Sequence, residues 1–427
     1  MRTVSIGVLG AGTVGAGVLS VLQRKGDRIS RSLGATIQIR GVLVRNLTKS
    51  RSDDFDNGLL TTDVERILGD ASIDVVVELL GGEEPARTYI ERALRAGKHV
   101  VTANKEVIAK HGYELLRIAA DRGVNLFFEA SVGGGIPVIR VLRRDLVVND
   151  ISQIQAIING TTNFILSEME AGRDYAGALK QAQALGYAEA DPKNDVEAID
   201  AAYKLAILST LAFRTDVRPD RIHRVGITAL DEKDFRYARE MGYVVKLVAT
   251  ARQIGDTIEA NVHPTLLPAE HHLASVKGVF NAVLVDGDEV DKLVLYGRGA
   301  GAQPTSSAVL ADVCAIVQDI VYGVAEPIQF PERQLEIRDF GDTEARFYLR
   351  LLVADEPGVL AQIARVLGDG GISIASCIQK EADADARVAE IVIMTHAARQ
   401  SAMTDALSVI AHLSCTRQIS ASIRVDR

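Results

Sequence analysis

The sequence is short of cysteine, of basic clusters and of long apolar runs, and each shortage closes off a class of protein. Its three cysteines, Cys314, Cys377 and Cys415, are odd in number, far apart and without CxxC spacing. Neither a disulfide framework nor a zinc site is expected, and a reducing compartment fits. No Lys/Arg-rich block of the kind that follows a phosphate backbone occurs, and acids outnumber bases by 56 to 48, for a formal charge of −8. Nucleic acid is therefore not an expected partner. The opening MRTVSIGVLGAG enters a strand-like run without a basic flank or an apolar signal stretch, and no uninterrupted apolar run is long enough for a bilayer. The expectation is a cytoplasmic protein that does not engage a membrane.

What is present points to several cored domains. The chain has 427 residues, 47% of them hydrophobic, which predicts two or three domains rather than one. From residue 4 to about 128, the β-branched runs VSIGVL, IQIRGVLV, IDVVVEL, KHVVTA and VNLFF alternate with segments of helical spacing. Runs apolar on both faces suit a parallel sheet covered by helices, so the expected class is α/β with a doubly wound parallel sheet. Residues 1–135 form this domain, and the helical PTSSAVLADVCAIVQDIVYG is expected to return to it, adding 300–324. Beyond ASVGGGIP the alternation stops. Residues 136–299 mix long helices such as 195–212 with the strand candidates QIQAII, YVVKLVAT and AVLVDG, an α+β domain. The proline-marked EPIQFPERQ falls in a linker over 325–344. Residues 345–427 read strand, helix, strand, strand, helix, strand, a third and smaller domain.

In VSIGVLGAGTVGAGVLSVL a strand feeds Gly10, Gly12 and Gly15 in GxGxxG spacing, and the next helix carries Val14, Val18, Val21 and Leu22 on one stripe. Strand, spacing and helix agree, which a ligand-free glycine turn does not require. Gly10 permits the turn, Gly12 lets the backbone approach a pyrophosphate, Gly15 lets helix and strand pack, and the helix start around Thr13 and Val14 attracts the anion. The second strand ends in Arg45, where an NAD site usually has an acid. An arginine there can receive a 2′-phosphate, with Lys49 as helper, which favours NADP; a solvated surface arginine is the competing explanation.

In EADPKNDVEAIDAAYKLAIL, Asp200 and Lys204 flank the stripe formed by Val196, Ile199, Tyr203, Ala206, Ile207 and Thr210. Such an i, i+4 pair is ordinarily a solvated surface contact. Here KLAILSTLAF is apolar on nearly every side, and partly buried charges must be paired or used. A lysine beside a nicotinamide is a proton-transfer group for alcohol/carbonyl chemistry. Glu189, Asp191 and Asp195 supply further carboxylates, although Asp191 and Asp195 are better explained as acids at a helix start.

Lys105 in KHVVTANKEVIAK follows a predicted parallel strand, at the edge where open α/β sheets bind ligands. The glycines of FFEASVGGGIP can turn carbonyl oxygens toward a hard cation beside Glu129, or can simply form a domain crossover. INGTTNF reads as a turn whose hydroxyls and N–H groups can hold a carboxylate.

In this order GAGTVG, TANK, EASVGGGIP, NGTTNFIL and EADPxxDVxxxDAAxKLxIL resemble homoserine dehydrogenase over essentially the whole chain, and the tail, with its DEPGVL turn, resembles an ACT regulatory domain. The resemblance implies a Rossmann-type nucleotide domain, a substrate-binding and dimerisation domain and a ferredoxin-like βαββαβ ACT domain. It implies interconversion of L-homoserine and L-aspartate 4-semialdehyde with NADP, or with NAD, in threonine, methionine and isoleucine biosynthesis. By motif, Lys204 is the implied proton donor and Lys105 lies between cofactor and substrate. Glu189, Asp200 and Thr161 are implied substrate contacts, and Gly10, Gly12, Thr13, Val14, Gly15, Gly186 and Gly301 implied dinucleotide contacts. Glu129, Val132, Gly134 and Ile136 would surround a sodium ion, largely through main-chain oxygens. A homodimer or homotetramer with threonine as effector follows from the same analogy. Two readings compete: a hydroxy-acid dehydrogenase with an ACT tail, which would use a histidine beside a carboxylate, and a dinucleotide- or amino-acid-sensing protein, which would not need Glu189, Asp200 and Lys204 together.

Overall fold

The apolar run Val4–Leu9 is fully buried on both faces, which places it inside a sheet covered on two sides. The computed structural model describes residues 1–48, 57–324, 333–383 and 386–426. Lys49 and residues 325–332, which include most of EPIQFPERQ, lie outside them. Compactness groups the chain into two interleaved units rather than consecutive blocks. The first is Met1–Ile151 with Tyr203–Pro219 and Asn281–Gln334, and the second is Ser152–Ala202 with Asp220–Phe280 and Leu335–Arg427.

In the first unit, β1 (Arg2–Leu9), α1 (Thr13–Leu33), β2 (Ala35–Leu43), β3 (Leu60–Thr61), α2 (Glu65–Leu68), β4 (Val75–Glu78), α3 (Ala86–Arg95), β5 (His99–Thr102), α4 (Lys105–Arg122) and β6 (Leu126–Phe127) follow one another. The strands pair in parallel in the order β3-β2-β1-β4-β5-β6. This is the doubly wound Rossmann-type arrangement, with its order reversing between β1 and β4. Register aligns Leu9, Glu78 and Thr102 across the carboxyl ends of β1, β4 and β5. Helix Ala302–Tyr322 is long and apolar enough to cross a membrane by length and composition. Its Val309, Val313 and Ile316 nevertheless share one fully buried core with Val18, Leu19 and Leu22 of α1. The two helices approach so closely that a Cβ on Gly17 would lie 2.4 Å from Ser306 Oγ.

In the second unit one mixed sheet runs Ile151–Ile157, Tyr243–Ile254, Thr257–Pro268, Thr416–Val425, Glu344–Ala354, Val388–Thr395, Ile374–Asp383. Its last four strands, with helices Val359–Asp369 and Gln400–Ala411, form the expected βαββαβ module in the ferredoxin-like strand order. Alternate residues Phe347, Leu349, Leu351 and Val353 face those helices through Ile363, Leu367, Met403 and Ile410. The opposite face carries Arg350, whose guanidinium donates to Asp234 (2.7 Å) on helix Glu232–Glu240 and to Glu390 (3.1 Å). This module continues the sheet: Thr416–Val425 pairs in parallel with Thr257–Pro268, Thr265 opposite Arg424.

The continuous helix expected over 195–212 is two pieces, Lys193–Val196 and Ile199–Phe213. Ala198 breaks it with φ of 62°. The Val196 carbonyl, which a continuous helix would offer to residue 200, accepts instead from Ile227 N at 2.9 Å. Gly226 makes that approach feasible, since a Cβ there would sit 2.2 Å from the same oxygen.

Candidate active site

The three glycines of the first turn do different work. Gly10 adopts φ of 106°, and a Cβ on it would meet Leu79 O at 2.7 Å; one on Gly15 would meet Gly10 O at 2.1 Å. Both are glycine because the protein itself fills the space. Gly12 is exposed and has nothing within 4 Å of its missing Cβ, so packing within the protein does not require glycine there. It precedes an α1 whose first turn contains no acid and whose N-terminus has no side-chain cap. Unsatisfied N–H groups, the helix dipole and a bare approach fit a dinucleotide pyrophosphate. Thr13 is exposed and Val14 half-buried at this start. Arg45 is exposed just past β2, on the same edge as Gly10, whose N–H donates to Leu43 O at 3.0 Å.

Two further glycine segments converge on this turn. Ser306 Oγ donates to Val14 O at 3.1 Å, which brings the start of helix Ala302–Tyr322, preceded by Gly301 at φ of 124°, beside the start of α1. A Cβ on Gly134 would lie 2.5 Å from Gly299 O, and Gly135 N donates to Arg298 O at 3.1 Å. The loop Val132–Ile136 is buried except at Gly135, with Gly133 and Gly134 at φ of 72° and 55°. The Glu129 carboxylate acts as a cap, accepting from Ile139 N on one oxygen and from Arg140 N on the other, both at 2.8 Å. Burial pushes its pKa up, against those two bonds. Among the described residues no group of three or more His, Cys, Asp or Glu could hold a metal. A cation at this loop would thus be held by main-chain oxygens, the donor set of a weakly charged hard-ion site.

Lys105 is half-buried at the first position of α4. Its setting depends on residues that motif reading passed over. Glu78 is fully buried at the end of β4; its carboxylate accepts from Thr102 Oγ1 (2.6 Å) and from Leu80 N (2.7 Å), and burial raises its pKa. Thr102 Oγ1 in turn accepts from Asn104 N at 2.9 Å. Asn104 caps α4 through Val107 N (3.2 Å) and donates to Gly82 O (2.7 Å), which ties the turn after β4 to the start of α4. A polar residue at the last position of an otherwise apolar strand was the signal available in the sequence. Further along α4, Lys110 is paired with Glu83 and Glu106, each at 2.7 Å, and lies 5.6 Å from the Tyr203 ring centroid. Tyr203 precedes Lys204, so within the first unit the lysine's segment runs beside α4.

Helix Ile199–Phe213 carries both members of the charged pair, one turn apart, and both are buried: Asp200 at 5% exposure and Lys204 at 8%. In the second unit Asp200 Oδ2 accepts from Asn159 Nδ2 at 2.9 Å, and Asp195 Oδ1 accepts from the same nitrogen at 2.7 Å. Asp195 therefore has a role beyond the helix-start acid expected of it, whereas Asp191 does accept from Lys193 N at 3.2 Å. The turn expected at INGTTNF extends only to Asn159, because that residue caps helix Gly160–Glu170. Thr161 Oγ1 donates to Tyr187 O at 2.6 Å, joining that helix to the segment between Gly186 and Glu189. Gly186 and Glu189 are exposed, and Glu189 is tied through its carbonyl, which accepts from Gln183 at 3.1 Å.

A doubly wound sheet with a bare helix start at its switch point and a buried lysine–carboxylate helix defines a dinucleotide-dependent oxidoreductase. Family models agree part by part: residues 10–129 match the homoserine dehydrogenase NAD-binding domain, 137–314 homoserine dehydrogenase, and 347–412 the ACT domain. The homoserine dehydrogenase of Bacillus subtilis is 39% identical over 428 residues, covering 100% of this chain and 99% of its own. The crystal structure of a homoserine dehydrogenase from Thiobacillus denitrificans superposes with a TM-score of 0.94 at 42% identity, covering 100% and 99%. A hyperthermophilic archaeal homoserine dehydrogenase in complex with NADPH covers 77% of this chain and 100% of its own, with a TM-score of 0.64 at 27% identity. The chain belongs to the homoserine dehydrogenase family, with an NAD(P)-binding domain and a C-terminal ACT domain.

Proposed function

We propose that this chain catalyses the reversible reduction of L-aspartate 4-semialdehyde to L-homoserine, with Lys204 as the proton donor and NADPH as the preferred reductant. The observation that carries the reading is the burial of Lys204 one turn after Asp200 on a largely apolar helix. A buried ammonium is costly unless a neighbouring charge supports it. The Asp200 carboxylate favours the charged lysine, which can then give its proton to the aldehyde oxygen as the carbonyl carbon gains electron density. The reduced dinucleotide, when bound, supplies the hydride. In the reverse direction the lysine must be neutral to accept the hydroxyl proton, so homoserine oxidation should speed up in alkaline solution.

In this reading Asp200, Glu189 and Thr161 hold the substrate, and Lys105 stands between substrate and cofactor. Gly10, Gly12, Thr13, Val14, Gly15, Gly186 and Gly301 line the dinucleotide. Arg45 meets the 2′-phosphate, which together with the NADPH-bound archaeal relative favours NADP over NAD. Main-chain oxygens of Glu129, Val132, Gly134 and Ile136 hold sodium, consistent with a Glu129 side chain already engaged as a cap. Residues 1–135 with 300–324 serve the dinucleotide, 136–299 serve the substrate and dimerisation, and 345–427 sense an amino acid, threonine by family analogy. The protein works in the cytoplasm as a homodimer or homotetramer, in threonine, methionine and isoleucine biosynthesis.

The test is the loss of reduced-nicotinamide absorbance with aspartate semialdehyde, run with each cofactor, with sodium or potassium, and with or without threonine. No turnover with either cofactor would sink the reading. Arg45→Ala should lower the preference for NADPH over NADH about tenfold, and an unchanged ratio would remove Arg45 from the site. If saturating threonine alters neither rate nor melting temperature, the effector assignment fails.

A further inference from the structure

Asn159 has no part in the roles above, yet its buried side chain meets three partners at once. Its Oδ1 accepts from Thr162 N at 2.8 Å, capping helix Gly160–Glu170. Its Nδ2 donates to Asp195 Oδ1 at 2.7 Å and to Asp200 Oδ2 at 2.9 Å. A primary amide carries two N–H hydrogens, and here each faces a different carboxylate. The orientation of the amide is fixed by the same three contacts. Reversed, it would set its oxygen against two carboxylates and its N–H groups against a backbone N–H.

Geometry and charge both make this a clasp. Asp195 belongs to the short helix Lys193–Val196 and Asp200 to helix Ile199–Phe213, on opposite sides of the break at Ala198. One amide nitrogen therefore spans the break and limits the angle between the two pieces. Two carboxylates brought onto one nitrogen repel each other, and like charges at such range favour protonation of one of them. A neutral double donor gives each carboxylate a hydrogen bond and so offsets part of that repulsion. Asp200 must stay ionised and correctly turned if it is to support the charge on Lys204.

We propose that Asn159 is a positioning residue for the reaction, holding Asp200 in place for Lys204 and locking the Asp195 helix to it. The proposal rests on the Lys204 reading of the preceding subsection. Its test separates the clasp from the cap. Asn, Asp and Ser cap helices comparably, so a residue needed for its cap alone would tolerate Asn159→Asp and Asn159→Ser equally. A clasp would not, because serine loses one donor without adding charge, while aspartate sets a third carboxylate against the other two. The expected result is a kcat lowered roughly tenfold in N159S and roughly hundredfold in N159D, with the KM for the dinucleotide unchanged.

A kcat for N159D equal to or above that of N159S would overturn the proposal, as would wild-type kcat in both. Loss of kcat in step with a fall in melting temperature in N159S would also overturn it, since that marks a structural role. If N159D does not fold, N159S decides alone: reduced kcat at an unchanged melting temperature supports the clasp, and wild-type kcat ends it. Inactive wild-type enzyme in the same assay would sink the functional reading and the clasp with it. Active wild-type enzyme with indifferent variants would sink the clasp alone.

Discussion

The two sheets are built on opposite terms. In the first unit's parallel sheet the inner strands β1, β4 and β5 are mostly apolar and buried toward their carboxyl ends, where polar groups such as Glu78 and Thr102 appear. In the second unit charge lies inside the structure. Arg350 is at 5% exposure between Asp234 and Glu390, Arg424 pairs with Glu259 at 3.4 Å, and Lys246 donates to Val276 O at 2.7 Å. The difference follows distance along the chain. Neighbouring parallel strands are ordered by short right-handed crossovers, so apolar pattern suffices and the binding edge can stay bare. The mixed sheet joins strands that begin at residues 151, 243, 344 and 416. We attribute its buried ion pairs to the need for directional partners that penalise other pairings.

The largest effect is expected where charge is used for chemistry: Lys204→Ala should lower kcat in both directions roughly thousandfold, with dinucleotide KM nearly intact. Steady-state kinetics showing near-normal turnover would refute the assignment. Next comes a stability contrast between the sheets. Arg350→Met removes the guanidinium from buried Asp234 and leaves Glu390 to Lys233 and Tyr237, and should cost about 3 kcal/mol, while Val77→Ala in the parallel sheet should cost about 2 kcal/mol. Urea denaturation that reverses this order would end the argument about directional partners.

Smaller and more local is the contrast within the glycine turn. Gly12→Ala enters open space and should raise dinucleotide KM about tenfold at an unchanged melting temperature, whereas Gly15→Ala collides with the Gly10 carbonyl and should lower the melting temperature first. The smallest effect is expected at His263, fully buried beside the strand that joins the ACT domain to the rest of its sheet. Burial, and then the Arg424 charge, depress its pKa to about 3, against an ordinary value of about 6.5. Because the folded state resists protonation, the stability it contributes is complete above about pH 6.5 and is lost as pH falls toward about 3. His263→Gln should therefore flatten the fall in melting temperature on mild acidification; an unchanged slope would show that other groups dominate.

Much of the first unit was legible because its signals are local. GAGTVG is a strand, a turn and a helix in sequence, and the runs ending at Glu78 and Thr102 alternate with helices over short distances. The Asp200–Lys204 pair stood out for the same reason, as charge within an apolar helix. The break at Ala198 did not, because its cause is a backbone contact with Ile227 that no spacing encodes. Asn159 was hidden likewise: its partners lie 36 and 41 residues away, and its own surroundings read as a turn.

The order of apolar and glycine residues thus determined by itself that this chain folds a doubly wound nucleotide domain and ends in a βαββαβ module, since both depend on short-range periodicity and turn chemistry. Which carboxylates share a donor, where the charged helix bends, and that the ACT strand Thr416–Val425 extends the sheet of its unit were decided by tertiary structure alone. Hydrogen bonds and buried charges are satisfied by whatever the fold brings within about 3 Å, and sequence separation carries no record of that distance.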